Sequence, residues 1–174
     1  MQTLLRRLAA LGIALAALFS LFPCQTHAVS TSASSAILMD VDSGRVLYEQ
    51  NADAKMLIAS TTKILTALVA IREGDLNDVV TVSWEAAYTE GSSMYLKVGE
   101  KLTLETLLYG LLLCSGNDAA VAIAEHISGS QEDFAKLMNA TAREIGMEHS
   151  SFANPNGLDH EDHYSTARDM ARLA

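Results

Sequence analysis

Ile58-Ala59-Ser60-Thr61-Thr62-Lys63-Ile64-Leu65-Thr66-Ala67-Leu68-Val69-Ala70-Ile71-Arg72-Glu73-Gly74 is the stretch on which the fold turns. Its wealth of Ala, Leu and Ile predicts a helix over Ile58 to Glu73, with Gly74 just beyond as its C-cap. Ile64, Leu65, Ala67, Leu68, Val69 and Ile71 fall on nearly every face of that helix. A helix that is apolar all round belongs inside something larger.

Upstream, Ala36 to Val41 is a short apolar run, Asp42-Ser43-Gly44 is a turn signal, and Arg45 to Gln50 is a second extended segment. Together they predict a β-hairpin. Downstream, Asp78 to Val82 predicts a brief strand, Trp84 to Tyr88 a short helix, and Gly91 to Lys101 a loop. Thr103 to Leu113 and Asp118 to Ile127 predict two helices separated by Ser115-Gly116-Asn117. Ser130 caps a further helix in which Phe134, Leu137, Met138, Thr141 and Ile145 keep helical spacing up to Gly146. Phe152 to Tyr164 reads as a loop, and Thr166 to Ala174 begins another helix. Strands crowd the start and helices fill the rest. A two-stranded hairpin is marginal alone and cannot cover a helix buried on all sides. The expectation is therefore an α+β chain that lacks part of its sheet.

The 174 residues are 49% hydrophobic, enough to build a core. The formal net charge is -9 and the pI about 4.9. No cluster of Lys or Arg marks a nucleic-acid surface, so nucleic acid is not an expected partner. Arg6 and Arg7, the apolar run Leu8 to Phe22, and Thr26-His27-Ala28 predict a signal peptide over residues 1–28, cleaved after Ala28. The apolar run is short for a membrane-spanning helix, and the bulky Phe22 and Pro23 argue against a lipoprotein site at Cys24. Cleavage removes two positive charges, taking the net charge from -9 to -11. It also leaves Cys114 alone, with no partner for an internal disulfide. An exported chain has no ATP or NAD pool within reach, which favours hydrolysis or transfer over cofactor chemistry.

Two motifs carry chemistry. Ser60 and Lys63 lie three residues apart, a spacing that puts both side chains on one helical face. A serine hydroxyl is a poor nucleophile until a base takes its proton, and a desolvated lysine is neutral enough to do so. A serine in the first turn also has the positive end of the helix beside it, which favours negative charge growing on a substrate oxygen. The alternative for this motif alone is an N-cap serine followed by a solvated lysine, but a lysine on so apolar a helix is expensive unless used. Ser115-Gly116-Asn117 offers a second serine to relay a proton and an amide to orient the lysine or a substrate carbonyl. Alone, it reads equally as an ordinary helix–helix turn.

Together, and in this order, the two motifs resemble those of the low-molecular-mass penicillin-binding proteins, the serine-type D-alanyl-D-alanine carboxypeptidases of peptidase family S11. Ile58 to Lys63, Gly91-Ser92-Ser93-Met94, Leu107 to Ala120 (LLYGLLLCSGNDAA), Phe152 to Leu158 (FANPNGL) and Tyr164-Ser165-Thr166-Ala167 carry the likeness. Gly116 matches the carboxypeptidases, where class A β-lactamases typically carry Asp. The resemblance implies a β-lactamase/transpeptidase-like fold, a helical region on an antiparallel sheet. It implies removal of the terminal D-alanine from peptidoglycan pentapeptides through an acyl-enzyme, with β-lactam antibiotics as a second class of ligand. By the same likeness Ser60 is the nucleophile, Lys63 its base, Ser115 the proton relay and Asn117 a positioner that touches substrate. No metal or cofactor is implied. The implied location is the extracytoplasmic face of the membrane or the cell wall, with peripheral attachment through a C-terminal segment.

One departure stands out. No Lys-Thr-Gly follows Ser115, and the lookalike Lys97-Val98-Gly99 precedes it. In the family that motif lies on the strand closing the other side of the cleft, so residues 29–174 are expected to be the N-terminal portion of the catalytic domain, with its C-terminal strands missing. The rivals are a serine β-lactamase or esterase on the same fold, which turns a penicillin over rapidly, and a non-catalytic remnant, which never labels with one. Three other features have plainer readings. Cys114 is expected as a buried small residue. Asp159 to His163 is expected as a solvated acidic loop rather than a metal site. Trp84 and Tyr88 are expected to pack in the core rather than form a stacking platform.

Overall fold

The computed structural model describes residues 31–174, so the leader expected over residues 1–28 lies outside the described part. The chain opens with an antiparallel hairpin, β1 (Ala36–Met39) and β2 (Val46–Gln50), pairing Ala36 with Gln50 and Met39 with Val46 across a bulge at Leu38/Met39. A 3-10 turn (Ala59–Thr61) leads into α1 (Thr62–Glu73). Then come β3 (Val79–Thr81), the single-turn α2 (Trp84–Ala87), β4 (Lys101–Thr103) and α3 (Leu104–Leu113). Three more helices follow, α4 (Asn117–Ser128), α5 (Gln131–Glu144) and α6 (Ala167–Leu173). β4 pairs antiparallel with β3, Val79 opposite Thr103, and closes the loop that the sequence left open. Three residues are too few to show a two-residue alternation, so β4 carried no readable signal.

The structure moves the centre of the fold. The most enclosed helix is α4, whose residues Asn117 to Ala124 are all buried, and α1, α2, α3 and α5 pack around it. Ala119, Ala120, Ala122 and Ala124 present so little bulk that neighbours approach on every side. α1 buries Leu65, Ala67, Val69 and Ala70 but leaves Ile64 and Ile71 in water, so it is buried on one broad face only. The hairpin packs on α6 rather than on α1. Phe134 and Met138 from α5 complete the core, each burial stabilising by roughly 1.5–3 kcal/mol.

Two boundaries differ from the expected helix Ile58 to Glu73. Ala59 sits at φ 45, a left-handed conformation that cannot continue an α-helix, so the first turn is 3-10 and the α-helix begins at Thr62. Gly74 follows the helix in an extended conformation, φ -108, instead of a left-handed cap. Its lack of a side chain serves packing, since a Cβ there would lie 2.5 Å from Leu104 Cδ2.

A buried carboxylate fastens the segment before β4 to the core. Asp118 accepts from Ser93 Oγ at 2.7 Å, Met94 N at 3.1 Å, Leu96 N at 3.1 Å and Ala119 N at 2.9 Å. Burial alone raises its pKa, but those hydrogen bonds outweigh it and hold the carboxyl below its usual range. Asp118→Asn turns one acceptor into a donor facing these N–H groups. It is expected to lower stability by about 2 kcal/mol, measured by urea unfolding.

Candidate active site

Ser60 lies in the exposed 3-10 turn, and its hydroxyl meets a lysine that is only 2% exposed. Lys63 Nζ is 3.0 Å from Ser60 Oγ, 2.7 Å from Asn117 Oδ1 and 2.8 Å from the Asn156 carbonyl. All three partners are neutral. Burial without a counter-charge draws the Lys63 pKa from 10.5 to about 8. The amine is therefore the group in this cleft poised to exchange a proton near physiological pH.

Asn117 is oriented by what its other atoms do. Its backbone N–H donates to Ser92 O at 2.7 Å and its Nδ2 donates to Glu90 O at 2.6 Å, so Oδ1 faces the lysine. Ser115 sits between α3 and α4 at φ 53, the second left-handed non-glycine residue at the site besides Ala59. It lines, with Ser60, Lys63 and Leu111, a cavity of about 300 Å³. On the other side Ser60 and Asn117 line a larger cleft of about 500 Å³, shared with Glu90, Gly91, Asn156 and Gly157. The four residues singled out in the sequence thus converge. Backbone strain clusters where function demands a particular geometry, and here it falls on Ser115 itself and on the residue before Ser60.

The sequence reading assigned no role to the loop after α5, yet it forms one wall of the site. Its Asn156 carbonyl takes the Lys63 proton donor, and its Pro155 carbonyl accepts from Thr66 Oγ1 at 2.6 Å. Asn154 Oδ1 accepts from Gly157 N at 2.7 Å and Asn156 Oδ1 from Leu158 N at 3.1 Å, so the loop's own side chains satisfy its backbone. Gly157, at φ +90, lies beneath the Ala59 peptide, where a Cβ would come 2.0 Å from Ala59 O. Clustered Asn, Pro and Gly were the available signal. They announce a turn but not what the turn touches.

A family model described as D-alanyl-D-alanine carboxypeptidase matches residues 23–174. The chain belongs to that family. It is 44% identical over 155 residues to D-alanyl-D-alanine carboxypeptidase DacF of Bacillus subtilis (strain 168), covering 86% of this chain and 40% of that protein. To DacC of Escherichia coli (strain K12) it is 44% identical over 158 residues, covering 84% and 40%. Among solved structures, the D-alanyl-D-alanine carboxypeptidase DacD from Francisella tularensis superimposes with a TM-score of 0.79 at 40% identity, over 83% of this chain and 36% of that one. Penicillin binding protein 5 from Haemophilus influenzae gives 0.80 at 34% identity, over 85% and 45%. The fold is therefore that of the D-alanyl-D-alanine carboxypeptidases, helices with small antiparallel sheets. The chain spans about two fifths of the length of the curated relatives it matches.

Within this carboxypeptidase-family chain, three readings from sequence need correction. Cys114 is exposed, because it follows the last turn of α3 at the surface instead of packing under it. Trp84 and Tyr88 are exposed as well, since Ala86 is the α2 residue that enters the core. His163 is buried, not solvated with its acidic neighbours. Its Nδ1 accepts from Ala153 N at 3.2 Å, which leaves the proton on Nε2 to donate to Thr62 Oγ1 at 2.8 Å.

That imidazole ties the loop wall to the first turn of α1 in its neutral form. Burial, and then the neighbouring His160 charge, push its pKa below the ordinary 6.5, with Asp159 opposing weakly. The unfolded chain then binds the proton more readily than the folded one. Stability from this group is complete above about pH 6.5 and falls as pH drops toward the lower folded value. The urea midpoint is expected to decline between pH 7 and pH 5, and His163→Gln to flatten that decline. An identical slope in the variant would assign the pH dependence elsewhere.

Proposed function

We propose that the chain carries the acylating half of an exported serine D-alanyl-D-alanine carboxypeptidase that trims peptidoglycan stem pentapeptides and is acylated by penicillins. The arrangement of Lys63 supports this most: a buried amine, bonded only to neutral groups, 3.0 Å from an exposed serine hydroxyl. As an ammonium, Lys63 has one hydrogen for each of its three acceptors. As a neutral amine it keeps two hydrogens for Asn117 Oδ1 and Asn156 O and turns its lone pair to the Ser60 hydroxyl. The proton moves from Ser60 Oγ to Lys63 Nζ as Oγ attacks the carbonyl between the two D-alanines. The peptide C–N bond then breaks, the leaving nitrogen takes the proton now on Lys63 by way of the Ser115 hydroxyl, which restores the neutral amine, and the shortened peptide stays on Ser60 as an ester. Water, giving its proton to the neutral Lys63 amine, adds to the ester carbonyl; the C–Oγ bond breaks, and Lys63 returns the proton to Ser60 Oγ as the shortened peptide leaves with a free carboxylate. Asn117 holds the amine in place and contacts the substrate. The reaction consumes no oxidant, metal or cofactor.

Residues 1–28 are the export signal in this reading, and the working location is outside the cytoplasmic membrane, where peptidoglycan is. Among the described residues, no helix is long and apolar enough to cross a membrane. Peripheral attachment by a C-terminal segment, as in the resemblance, belongs to the same proposal. A fluorescent penicillin is expected to label the native protein, to leave the Ser60→Ala variant unlabelled, and to remain bound for far longer than one catalytic cycle. Rapid release of a hydrolysed penicillin would point to a β-lactamase instead, and no label at all to a non-catalytic protein. The 174-residue chain by itself carries no Lys-Thr-Gly after Ser115 and is expected to release little or no D-alanine from a pentapeptide. Measurable release by the purified chain would contradict that.

A further inference from the structure

The exposed aromatic pair beside the cleft has no part in the chemistry above. Trp84, the only tryptophan in the chain, is 62% exposed and Tyr88 68%, with ring centroids 5.0 Å apart and planes inclined by 34°. Trp84 begins α2 and Tyr88 caps its C-terminus, one turn further on, with the Tyr88 N–H donating to Trp84 O, so the two side chains lie on the same side of the turn. The turn that presents them is firmly held. Ser83 Oγ accepts from Ala86 N at 2.9 Å, Thr89 Oγ1 donates to Glu85 O at 2.7 Å, and Ala86 is buried where α2 packs on α4. What sets them apart from the other exposed apolar side chains is that two aromatic rings lie against each other on a held turn, which makes a small apolar platform with the Tyr88 hydroxyl at its edge.

Their position says what they meet. Two residues beyond Tyr88 the chain enters the cleft wall, where Glu90, Gly91 and Ser92 line the cavity that holds Ser60. The Glu90 carbonyl is clamped there by Asn117 Nδ2. Two residues span at most roughly 7 Å, so the Tyr88 backbone lies within that distance of the Glu90 wall, and the Trp84 ring rests against the Tyr88 ring with centroids 5.0 Å apart. Tyr95 flanks the same stretch from the other side, 86% exposed at φ 63, between Met94 and Leu96, whose N–H groups are both held by Asp118. The Tyr95 N–H donates to Ser93 Oγ at 2.8 Å, so hydrogen bonds on both sides fix this left-handed turn and leave the ring in water.

We propose that Trp84 and Tyr88 form a sugar subsite, which stacks on the N-acetylhexosamine ring of the glycan strand while its stem peptide enters the cleft. This rests on the peptidoglycan reading of the cleft. The C–H face of a pyranose ring is apolar and flat enough to cover an aromatic ring, and the ring's hydroxyls remain in water. The net charge of -9 disfavours the other usual stacking partners, nucleic-acid bases on a polyanionic backbone. The occupant is thus the uncharged sugar attached to the same substrate.

Because Trp84 is unique, its fluorescence reports the site directly. Titrating the 174-residue chain with a β-1,4-linked tetrasaccharide of N-acetylglucosamine is expected to give a saturable blue shift of the emission. Tyr88→Ala, checked for unchanged circular dichroism, is expected to weaken that binding about tenfold. A stem pentapeptide without sugar is expected to leave the emission unchanged. No saturable shift with the tetrasaccharide overturns the subsite, and so does an equal shift with the free pentapeptide. Penicillin labelling of Ser60 in the native protein is read separately. Labelling without sugar binding discards the subsite alone, and sugar binding without labelling discards the carboxypeptidase reading alone.

Discussion

Lys63→Met is expected to slow acylation of Ser60 by about a thousandfold, the scale of losing a positioned general base. A small serine-directed reagent such as a fluorophosphonate reads this on the 174-residue chain, because it needs only the activated hydroxyl and not the remainder of a peptide site. Methionine fills much of the space of the lysine stem but cannot accept the Ser60 proton. The substitution leaves Asn117 Oδ1 and Asn156 O without the donor that now serves them, at about 1–3 kcal/mol for each buried acceptor. Removal of a poorly solvated amine offsets part of that. A thermal melt therefore accompanies the rate measurement, so that unfolding is not mistaken for lost chemistry. Labelling within about tenfold of the unaltered chain would remove Lys63 from the mechanism.

The same amine has two pH signatures, with separate signs. Acylation requires the neutral form, so the rate is expected to climb with pH and level off above about 8. Folding responds because the folded pKa lies below the 10.5 of an unfolded lysine. Between about 8 and 10.5 the unfolded chain holds more protons, and stability rises with pH across that window.

Gly157→Ala is expected to be the most damaging single methyl in the structure, lowering stability by about 3 kcal/mol and the melting temperature by roughly 10 °C. The added Cβ would lie 2.0 Å from Ala59 O, 2.4 Å from Ala59 C and 3.0 Å from Thr62 Oγ1, on backbone at φ +90 that alanine rarely adopts. Relief requires the Ala59 peptide to move, and Ala59 holds the left-handed kink that presents Ser60. Acylation of Ser60 is therefore expected to fall along with stability, even at temperatures where the variant remains folded. A variant that melts as the parent does, with unchanged acylation, would show that the loop yields without disturbing the nucleophile.

What the sequence disclosed and what it withheld divide along the range of the interactions. Ser60 and Lys63 were legible because their pairing is local, set by three residues of helical rise. Ser115 and Asn117 were legible through their order relative to that pair. The hairpin, with Gly44 in its turn, and the helix capped by Ser130 were legible for the same local reasons. Asn156, Gly157 and His163 were not, because each acts on residues 59–63 from far along the chain, through a backbone carbonyl, a missing Cβ and a buried ring. No periodicity encodes such contacts. The enclosure of α4 was hidden in a similar way. An alanine-rich helix looks unremarkable by hydrophobicity, yet its small side chains let four other helices close around it. Trp84 and Tyr88 misled because large aromatic residues default to the core, whereas here the small Ala86 fills that role.

The direct test is an NMR titration of the Lys63 side chain, following its ε-carbon in the folded protein against a Lys63→Met spectrum for assignment. A midpoint near pH 8 is the expected result and makes the amine a competent acceptor for the Ser60 proton. A midpoint at the usual 10.5 would leave Lys63 a fixed ammonium at neutral pH, and Ser60 without its base.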